Sequence, residues 1–364
     1  MRLLRWPPGG RGYLPRGGPV ATVGVDALGA DRGPSEVAAG AVDAAARGTR
    51  CILFGPKDEL GPTDGVEVVD APEAITNLDE PAQAVRSRPD ASIVQAARAL
   101  AEGRCDALVT AGSTGAALAA SLIHVKRLPG VYRPALAVVV PVPGRSVLML
   151  DVGANVEVRP EHLVQFAFMG AAFSESVLGV KRPRVGLLSV GDEPSKGTPD
   201  VVAAHERLAG LEDLPFEWAG NVEGFGLAGG AVDVLVTDGF TGNVALKVTE
   251  GTAKAVAGAV RDAITSGTMS KLGGLLVRGR LAALREALSP DTVAGACLLG
   301  LRGLVVVCHG NSSRRAISNA IALAERGVEE RFVDKTSEAL QAGGVMRAKP
   351  PAEAASVTVD SVGR

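Results

Sequence analysis

The chain has 364 residues, of which 46% are hydrophobic, 46 are glycine and only 3% are aromatic. This composition excludes a largely disordered chain and favours tight turns and aliphatic packing, of the kind that parallel sheets use. The formal net charge of −2 supplies no global positive field, so nucleic acid is not an expected partner. The length allows two lobes or one large α/β unit.

Both termini differ in composition from the rest of the chain. Residues 1–20 contain arginine and glycine but no continuous apolar stretch, so they do not resemble a secretory signal, and we predict a disordered leader. A start codon placed too early explains this segment equally well. Residues 344–364 are small, polar and proline-containing, which predicts a disordered tail.

From Ala21 onward, short β-branched runs alternate with alanine-rich helical stretches. ATVGVDAL is followed by PSEVAAGAVDAAARG, RCILFG and VEVVDAP, and the alternation continues to LVVVCHG and SRRAISNAIALAERG. This order predicts βαβ units in a single domain over residues 21–343. Several strands are apolar on both faces, so we expect helices to cover both faces of the sheet.

One segment interrupts this rhythm, at about residues 265–290. Between residues 271 and 288, Val277, Leu281, Leu284 and Leu288 follow helical spacing, while the arginines lie away from that stripe. The pattern predicts a basic amphipathic helix. Its apolar face is suited to the core, to a second subunit or to a membrane surface.

The four cysteines have neither a C-x-x-C pair nor the spacing of a zinc site. Cys51, Cys105, Cys297 and Cys308 are therefore predicted to be buried thiols of a reducing compartment, and no zinc is expected at them.

Five predicted strands end in the same kind of loop, an apolar run followed by glycine and polar residues. These loops are VTAGSTG, LDVGANVE, LSVGDEPSKG, VTDGFTGN and VCHGNSS. Parallel strands end at one edge of a sheet, where ligands bind in doubly wound folds, so the five loops are predicted to share one rim. Any single loop is as readily a plain turn.

Within these loops, Gly112, Ser113, Thr114 and Gly115 precede a helix and are suited equally to an anion site and to an N-cap. Lys196 and Lys247 are candidates for holding phosphate, with solvated lysines as the alternative. His309 follows a buried run and is expected to point into the rim. The acidic and amide groups at strand ends, Asp26, Asp31, Asp151, Asn155, Glu157 and Asp238, are candidates for binding Mg²⁺ or for capping helices.

The sequence lacks two common site signatures, the G-x-x-x-x-G-K-[ST] phosphate loop and the G-x-S-x-G nucleophile elbow. Residues 24–29, at the end of the first predicted strand, do not have the G-x-G-x-x-G spacing of a dinucleotide fingerprint. We therefore expect no nucleotide cofactor and no serine nucleophile.

In order along the chain, VGVDALGADRGP, VTAGSTGA, RPALAVVVP, LDVGANVEVRPEHLVQFAFMG, PRVGLLSVGDEPSKG, GNVEG, VLVTDGFTGNVALKVTEGTAK and GACLLGLRGLVVVCHGNSS resemble the PlsX family of phosphate acyltransferases. The resemblance spans residues 21 to 327. It implies a three-layer α/β/α Rossmann-like sandwich with a mostly parallel sheet, like those of isopropylmalate dehydrogenase and phosphotransacetylase. It also implies transfer of a long-chain acyl group from acyl carrier protein to inorganic phosphate, giving acyl phosphate for phospholipid synthesis. A homodimer in the cytoplasm, attached peripherally to the inner face of the plasma membrane, is implied as well.

The resemblance assigns duties only at matching positions. Residues 112–115 and Lys196 are predicted to bind phosphate, His309 or Asn155 to stabilise the oxyanion, and Asp151 and Asp238 to orient them. The catalytic candidates are Asp151, Asn155, Asp238, Lys247 and His309, and the substrate-binding candidates are Asp26, Gly29, Asp31, Gly112, Ser113, Thr114, Gly115, Gly153, Glu193, Lys196, Gly197, Gly239, Gly242, Asn243 and Gly310.

Two other functions remain open from the sequence. One is a nicotinamide-dependent dehydrogenase of the isopropylmalate type, against which the lack of the fingerprint spacing at residues 24–29 argues. The other is a non-catalytic scaffold for acyl carrier protein, which would release no thiol when phosphate is supplied.

Overall fold

The computed structural model describes residues 21–142, 144–267, 270, 273–274, 277–280 and 295–347. The strands are β1 Thr22–Asp26, β2 Arg50–Gly55, β3 Glu67–Asp70, β4 Ala107–Thr110, β5 Ala135–Val142, β6 Arg145–Leu150, β7 Arg184–Leu188, β8 Glu217–Val222, β9 Val234–Val236, β10 Ala296–Leu299 and β11 Leu304–Val307. The helices are α1 Pro34–Ala45, α2 Pro81–Ser87, α3 Ser92–Ala101, α4 Thr114–Ala120, α5 Pro160–Ser176, α6 Pro199–Ala209, α7 Gly224–Gly229, α8 Gly239–Thr265, α9 Arg314–Glu329 and α10 Phe332–Ala342. A π-helical turn, Ser121–Val125, continues α4.

The strands form one sheet in the order β3-β2-β1-β4-β11-β10-β5-β6-β9-β7-β8. Most neighbours are parallel. The exceptions lie at the centre of the sheet. There, β10 is antiparallel to both β11 and β5, and β5 is antiparallel to β6. As a result, β6, β9, β7 and β8 run opposite to β1, β4 and β11.

Each face of the sheet carries its own hydrophobic core, because successive side chains of a strand point to opposite faces. In β4, Ala107 and Val109 join the core formed with α1, α5, α6, α9 and α10, whereas Leu108 joins the core formed with α2, α3, α4 and α7. The predicted α/β fold, a three-layer α/β/α sandwich with a mostly parallel sheet, is confirmed.

The packed chain continues past the predicted boundary at residue 343. Gln165 Nε2 donates to the carbonyl of Val345 at 2.8 Å, and the Arg347 N–H donates to the carbonyl of Gly130 at 2.7 Å. Residues 344–347 therefore pack on the body of the protein and do not belong to a tail. The predicted leader, residues 1–20, and the rest of the predicted tail lie outside the described residues.

The predicted amphipathic segment is described only in part. Residues 277–280 are helical and Val277 is exposed, whereas Leu281, Leu284 and Leu288 lie outside the described residues. No helix in the described part of the chain is both long enough and apolar enough to cross a bilayer.

Candidate functional site

The strand directions divide the five glycine-containing loops between two edges of the sheet. The loops after β1, β4 and β11 lie at one edge, and those after β6, β7 and β9 lie at the opposite edge. The prediction of a single rim is therefore wrong, because three antiparallel pairings reverse the second half of the sheet. The predicted site residues therefore form two clusters, one at each edge of the sheet. Cluster A consists of Asp26, Gly29, Asp31, Gly112, Ser113, Thr114, Gly115, His309 and Gly310. Cluster B consists of Asp151, Gly153, Asn155, Glu193, Lys196, Gly197, Asp238, Gly239, Gly242, Asn243 and Lys247.

In cluster A, a buried carboxylate holds two loops together. Asp26, only 2% exposed, accepts a hydrogen bond from Thr110 Oγ1 at 2.7 Å, and the same hydroxyl accepts the Gly112 N–H at 3.0 Å. Burial raises the pKa of Asp26 to about 6, although hydrogen bonds from Thr110 and the Leu28 N–H oppose the shift. Asp26 thus braces the loops after β1 and β4 from beneath.

The glycines of cluster A permit close contact between these loops. Gly29 has φ +83°, and a Cβ there would lie 2.8 Å from the Cα of Gly112. Ser113 caps α4 by accepting the Ala116 N–H at 3.5 Å. The N-cap interpretation is confirmed for Ser113, and the anion site at residues 112–115 stays a prediction.

His309 is exposed at the edge of cluster A, as expected for a side chain that points out of the core. Its Nδ1 accepts the Asn311 N–H at 3.3 Å. The Asp31 N–H donates to the carbonyl of Gly310 at 2.8 Å and joins the loop after β1 to the loop after β11.

The centre of cluster B is Asp151, a fully buried carboxylate at the end of β6. Oδ1 accepts the backbone N–H groups of Leu136, Gly153 and Ala154 at 3.0–3.2 Å, and Oδ2 accepts the Asn155 N–H at 2.7 Å. Burial raises the pKa of Asp151, and these hydrogen bonds oppose the shift. With so many donors around it, Asp151 shapes the loop.

Asn155 occupies a position that does not suit the oxyanion duty predicted for it. Its Nδ2 donates to the carbonyl of Pro134 at 2.7 Å and to Asp151 Oδ2 at 2.8 Å. Both partners accept only, so both amide hydrogens are used. Asn155 braces the loop and has no amide hydrogen left for an oxyanion.

The first turn of α8 packs directly on this loop because two of its residues are glycine. A Cβ at Gly239 would lie 2.6 Å from the Asn155 carbonyl oxygen, and one at Gly242 would overlap the carbonyl oxygen of Asp151. Asp238 caps the helix by accepting the Thr241 N–H at 2.8 Å. The predicted positions 238, 239 and 242 are thus explained by close packing and capping.

Two polar side chains of α8 are exposed beside the loop. Asn243 Nδ2 donates to the carbonyl of Val152 at 3.1 Å, which occupies one of its two amide hydrogens. One turn later, Lys247 lies 3.2 Å from Glu250 Oε2. Asn243 therefore has donor capacity for a ligand, whereas the charge of Lys247 is partly neutralised.

The loop after β7 is held by residues that sequence reasoning did not select as site residues. Asn221 Nδ2, from β8, donates to the carbonyls of Glu193 and Lys196 at 2.8 and 3.2 Å, while Asn221 Oδ1 is 3.0 Å from His205 Nδ1. Ser189 Oγ also donates to the Lys196 carbonyl, at 2.9 Å. The side chain of Lys196 itself is exposed.

The sequence feature that points to Asn221 is its position in the GNVEG motif, where an amide side chain lies within a predicted strand. His205 lies on α6, where its sequence neighbours carry no motif. Its pairing with Asn221 depends on the contact between α6 and β8, which sequence spacing does not reveal.

An apolar groove of about 400 Å³ adjoins cluster B. Leu188 and Leu235 of the sheet, Leu227 of α7, and Phe240 and Val244 of α8 line it, together with Gly224, Thr241, Ala245, Val248 and Thr249. None of these residues is charged. Phe240 and Thr241 directly follow the first residue of α8, so the groove opens beside the Asp238 cap.

The predicted burial of the cysteines is confirmed. Cys51, Cys105, Cys297 and Cys308 are free and buried. Burial raises the pKa of Cys51 and of Cys308 to about 12, which disfavours the thiolate a nucleophile requires. Among the described residues, no group of three His, Cys, Asp or Glu side chains is placed to hold a metal ion.

The fold is an α/β architecture similar to that of phosphotransacetylases of known structure. The EutD phosphotransacetylase from Staphylococcus aureus superposes with a TM-score of 0.56 at 17% identity, covering 85% of this chain and 94% of that chain. A branched-chain phosphotransacylase from Enterococcus faecalis V583 gives 0.54 at 16% identity, covering 85% and 99%.

The chain belongs to the fatty acid synthesis protein family, whose model matches residues 21–335, and this confirms the PlsX resemblance. The phosphate acyltransferase of Heliobacterium modesticaldum is 40% identical over 326 residues, which cover 87% of this chain and 96% of that protein. The phosphate acyltransferase of Oceanobacillus iheyensis is 43% identical over 311 residues, covering 84% and 93%.

Proposed function

We propose that this chain is a phosphate acyltransferase that moves a long-chain acyl group from acyl carrier protein to inorganic phosphate, at cluster B. The observation that carries the proposal is the match to relatives of that name over almost their full length. The acyl phosphate formed is a precursor for phospholipid synthesis.

Cluster B suits this chemistry better than cluster A. It lies beside an uncharged apolar groove, and it combines the exposed ammonium of Lys196 with the available amide hydrogen of Asn243. A cation and an amide donor are the groups that bind phosphate and polarise a thioester carbonyl. Residues 112–115, at the other edge, do not share the phosphate with Lys196 of the same protomer.

The reaction needs positioning more than a covalent enzyme intermediate. An oxygen of hydrogen phosphate attacks the thioester carbonyl carbon, a C–O bond forms, and the C–S bond breaks as the thiolate leaves. The proton of hydrogen phosphate passes to the thiolate, which leaves as a thiol. Lys196 holds the phosphate, Asn243 stabilises the oxyanion with its second amide hydrogen, and Asp151 with Asn155 keeps the loop rigid.

His309 and Lys247 take smaller duties than the sequence predicted for them. His309 lies in cluster A, at the opposite edge from Lys196, and we propose that it does not contact the oxyanion of the same protomer. Lys247, paired with Glu250, is proposed to add positive charge around the phosphate.

Two assembly proposals accompany the activity. We propose a homodimer that packs through the outer face of α8, where Val256 and Val260 are exposed. We also propose peripheral attachment to the inner face of the cytoplasmic membrane through the basic amphipathic segment at residues 271–288, supported by its sequence pattern.

The test is direct. Purified protein is mixed with palmitoyl-acyl carrier protein and labelled phosphate, and free thiol and labelled acyl phosphate are measured together. Equal, phosphate-dependent release of both is expected. A protein that binds the carrier but releases no thiol is a scaffold, and the proposal fails.

A further inference from the structure

The apolar groove beside cluster B has no duty in the phosphate chemistry. One wall is α7, with Gly224 and Leu227; the other is α8, with Phe240 and Val248. Phe240 and Val248 are each 61% exposed. Large apolar side chains gathered in one exposed concavity mark a binding surface.

We propose that this groove binds the hydrocarbon chain of the acyl substrate, with the thioester at its Thr241 end. The inference rests on the proposed function and adds the location of the acyl subsite. Val248, about two helical turns beyond Thr241 on α8, contacts the distal part of the chain and limits its length.

The chemistry of the lining selects this occupant. Because no lining residue is charged, a charged ligand or the acidic surface of a carrier protein finds no ion-pair partner in the groove. The volume of about 400 Å³ lies within the range of roughly 300–1,000 Å³ that small-molecule pockets have. A hydrocarbon chain satisfies both conditions.

The position of the groove supports the same occupant. It starts at Phe240 and Thr241, immediately after the capped end of α8 in cluster B, and continues to Val248 and Thr249. At 1.5 Å per residue, the eight steps from Thr241 to Thr249 span about 12 Å along the helix. A thioester held at cluster B therefore has an uncharged path for its chain. A second copy of this chain would also cover an apolar surface, but such a contact does not require the groove to begin at cluster B.

Two glycines of α7 provide a matched pair of variants. Gly224 lines the groove and Gly229 does not, yet both are exposed and a Cβ at either meets no atom within 4 Å. Gly224→Phe is expected to fill the groove, and Gly229→Phe adds the same side chain outside it. Neither change should disturb the core.

The experiment compares phosphate-dependent thiol release from palmitoyl- and butyryl-acyl carrier protein. Gly224→Phe is expected to lower the palmitoyl-to-butyryl ratio of kcat/KM by roughly tenfold, the effect of excluding about two methylene groups from an apolar site. Gly229→Phe should keep the wild-type ratio. An unchanged ratio in Gly224→Phe, or equal losses in both variants, would overturn the proposal.

Val248→Trp tests the distal end of the groove and the alternative occupant together. The same selective loss of palmitoyl activity is expected, with an unchanged molar mass by light scattering. If the mass changes and the chain-length ratio does not, the groove is a contact between copies and the proposal fails. Wild-type protein that is inactive with both substrates contradicts the proposed function itself, which separates that failure from failure of the groove.

Discussion

Asn221 donates its side-chain amide to the backbone carbonyl of Lys196 at 3.2 Å, and so joins β8 to the loop that carries the exposed ammonium. The same amide holds the carbonyl of Glu193, and Asn221 Oδ1 is paired with His205. A buried asparagine, 4% exposed, thus fixes the loop on which phosphate binding depends in our proposal.

Replacing Asn221 with alanine should weaken phosphate binding with little change in kcat. Each buried hydrogen bond left unmade costs about 1–3 kcal/mol, so we expect the phosphate KM to rise about tenfold or more. Phosphate saturation at fixed acyl substrate measures the change. Adding Lys196→Ala should then have a less than additive effect, because both changes act on one loop. A lower kcat at unchanged phosphate KM would contradict this positioning role.

Lys196→Ala should itself raise the phosphate KM. A hydrogen bond to a charged group contributes about 1.5–3 kcal/mol, which corresponds to roughly a 10- to 150-fold increase. Thermal melting should show an intact fold. Lys254, also exposed but farther along α8, supplies the control, and Lys254→Ala should leave the phosphate KM unchanged. Equal KM values in the two variants would make Lys196 an ordinary surface lysine.

Gly242→Ala should destabilise the protein because its Cβ would overlap the carbonyl oxygen of Asp151 and lie 2.9 Å from Thr237 Cγ2. Overpacking of this kind costs about 3 kcal/mol where backbone must move. Gly251 lies on the same helix with open space around it, so Gly251→Ala should stabilise by about 0.5–1 kcal/mol. Urea unfolding distinguishes the two. Similar midpoints would show that α8 does not pack on the loop after β6.

The pH dependence of stability should contain a contribution from Asp26. Burial raises its folded-state pKa from 3.8 to about 6, so the folded protein binds the proton more tightly than the unfolded chain does. The stability associated with that proton is complete below pH 4 and is lost as the pH rises through 6. Asp26→Asn has no carboxyl proton to lose at this position. The free energy of unfolding of the variant, relative to that of wild type, should therefore increase by about 3 kcal/mol across this interval. Parallel stability curves for the two proteins between pH 4 and 7 would refute the assignment.

Much of the fold was predictable from local pattern. Alternating β-branched and alanine-rich segments indicated the βαβ units, and strands apolar on both faces indicated helices on both sides, as the two cores confirm. Individual site features were predictable too, since Asp238 and Ser113 are residues that favour helix caps and both cap helices.

The grouping of those features was not predictable from the loops alone. Five similar loops suggested one rim, but β10 and β5 make antiparallel pairs that place Lys196 and Gly112 at opposite edges. The oxyanion duty predicted for Asn155 failed for a related reason, since the Pro134 carbonyl that takes one of its amide hydrogens lies 21 residues away.

By itself, the sequence determined the family, the α/β class and the residues that follow each strand, because these depend on composition, periodicity and motif order. Only the tertiary structure decided which loops meet, which amide hydrogens are already used and where an apolar groove opens. Strand direction and side-chain pairing arise from hydrogen bonds between residues far apart in the chain, and local sequence pattern does not specify them.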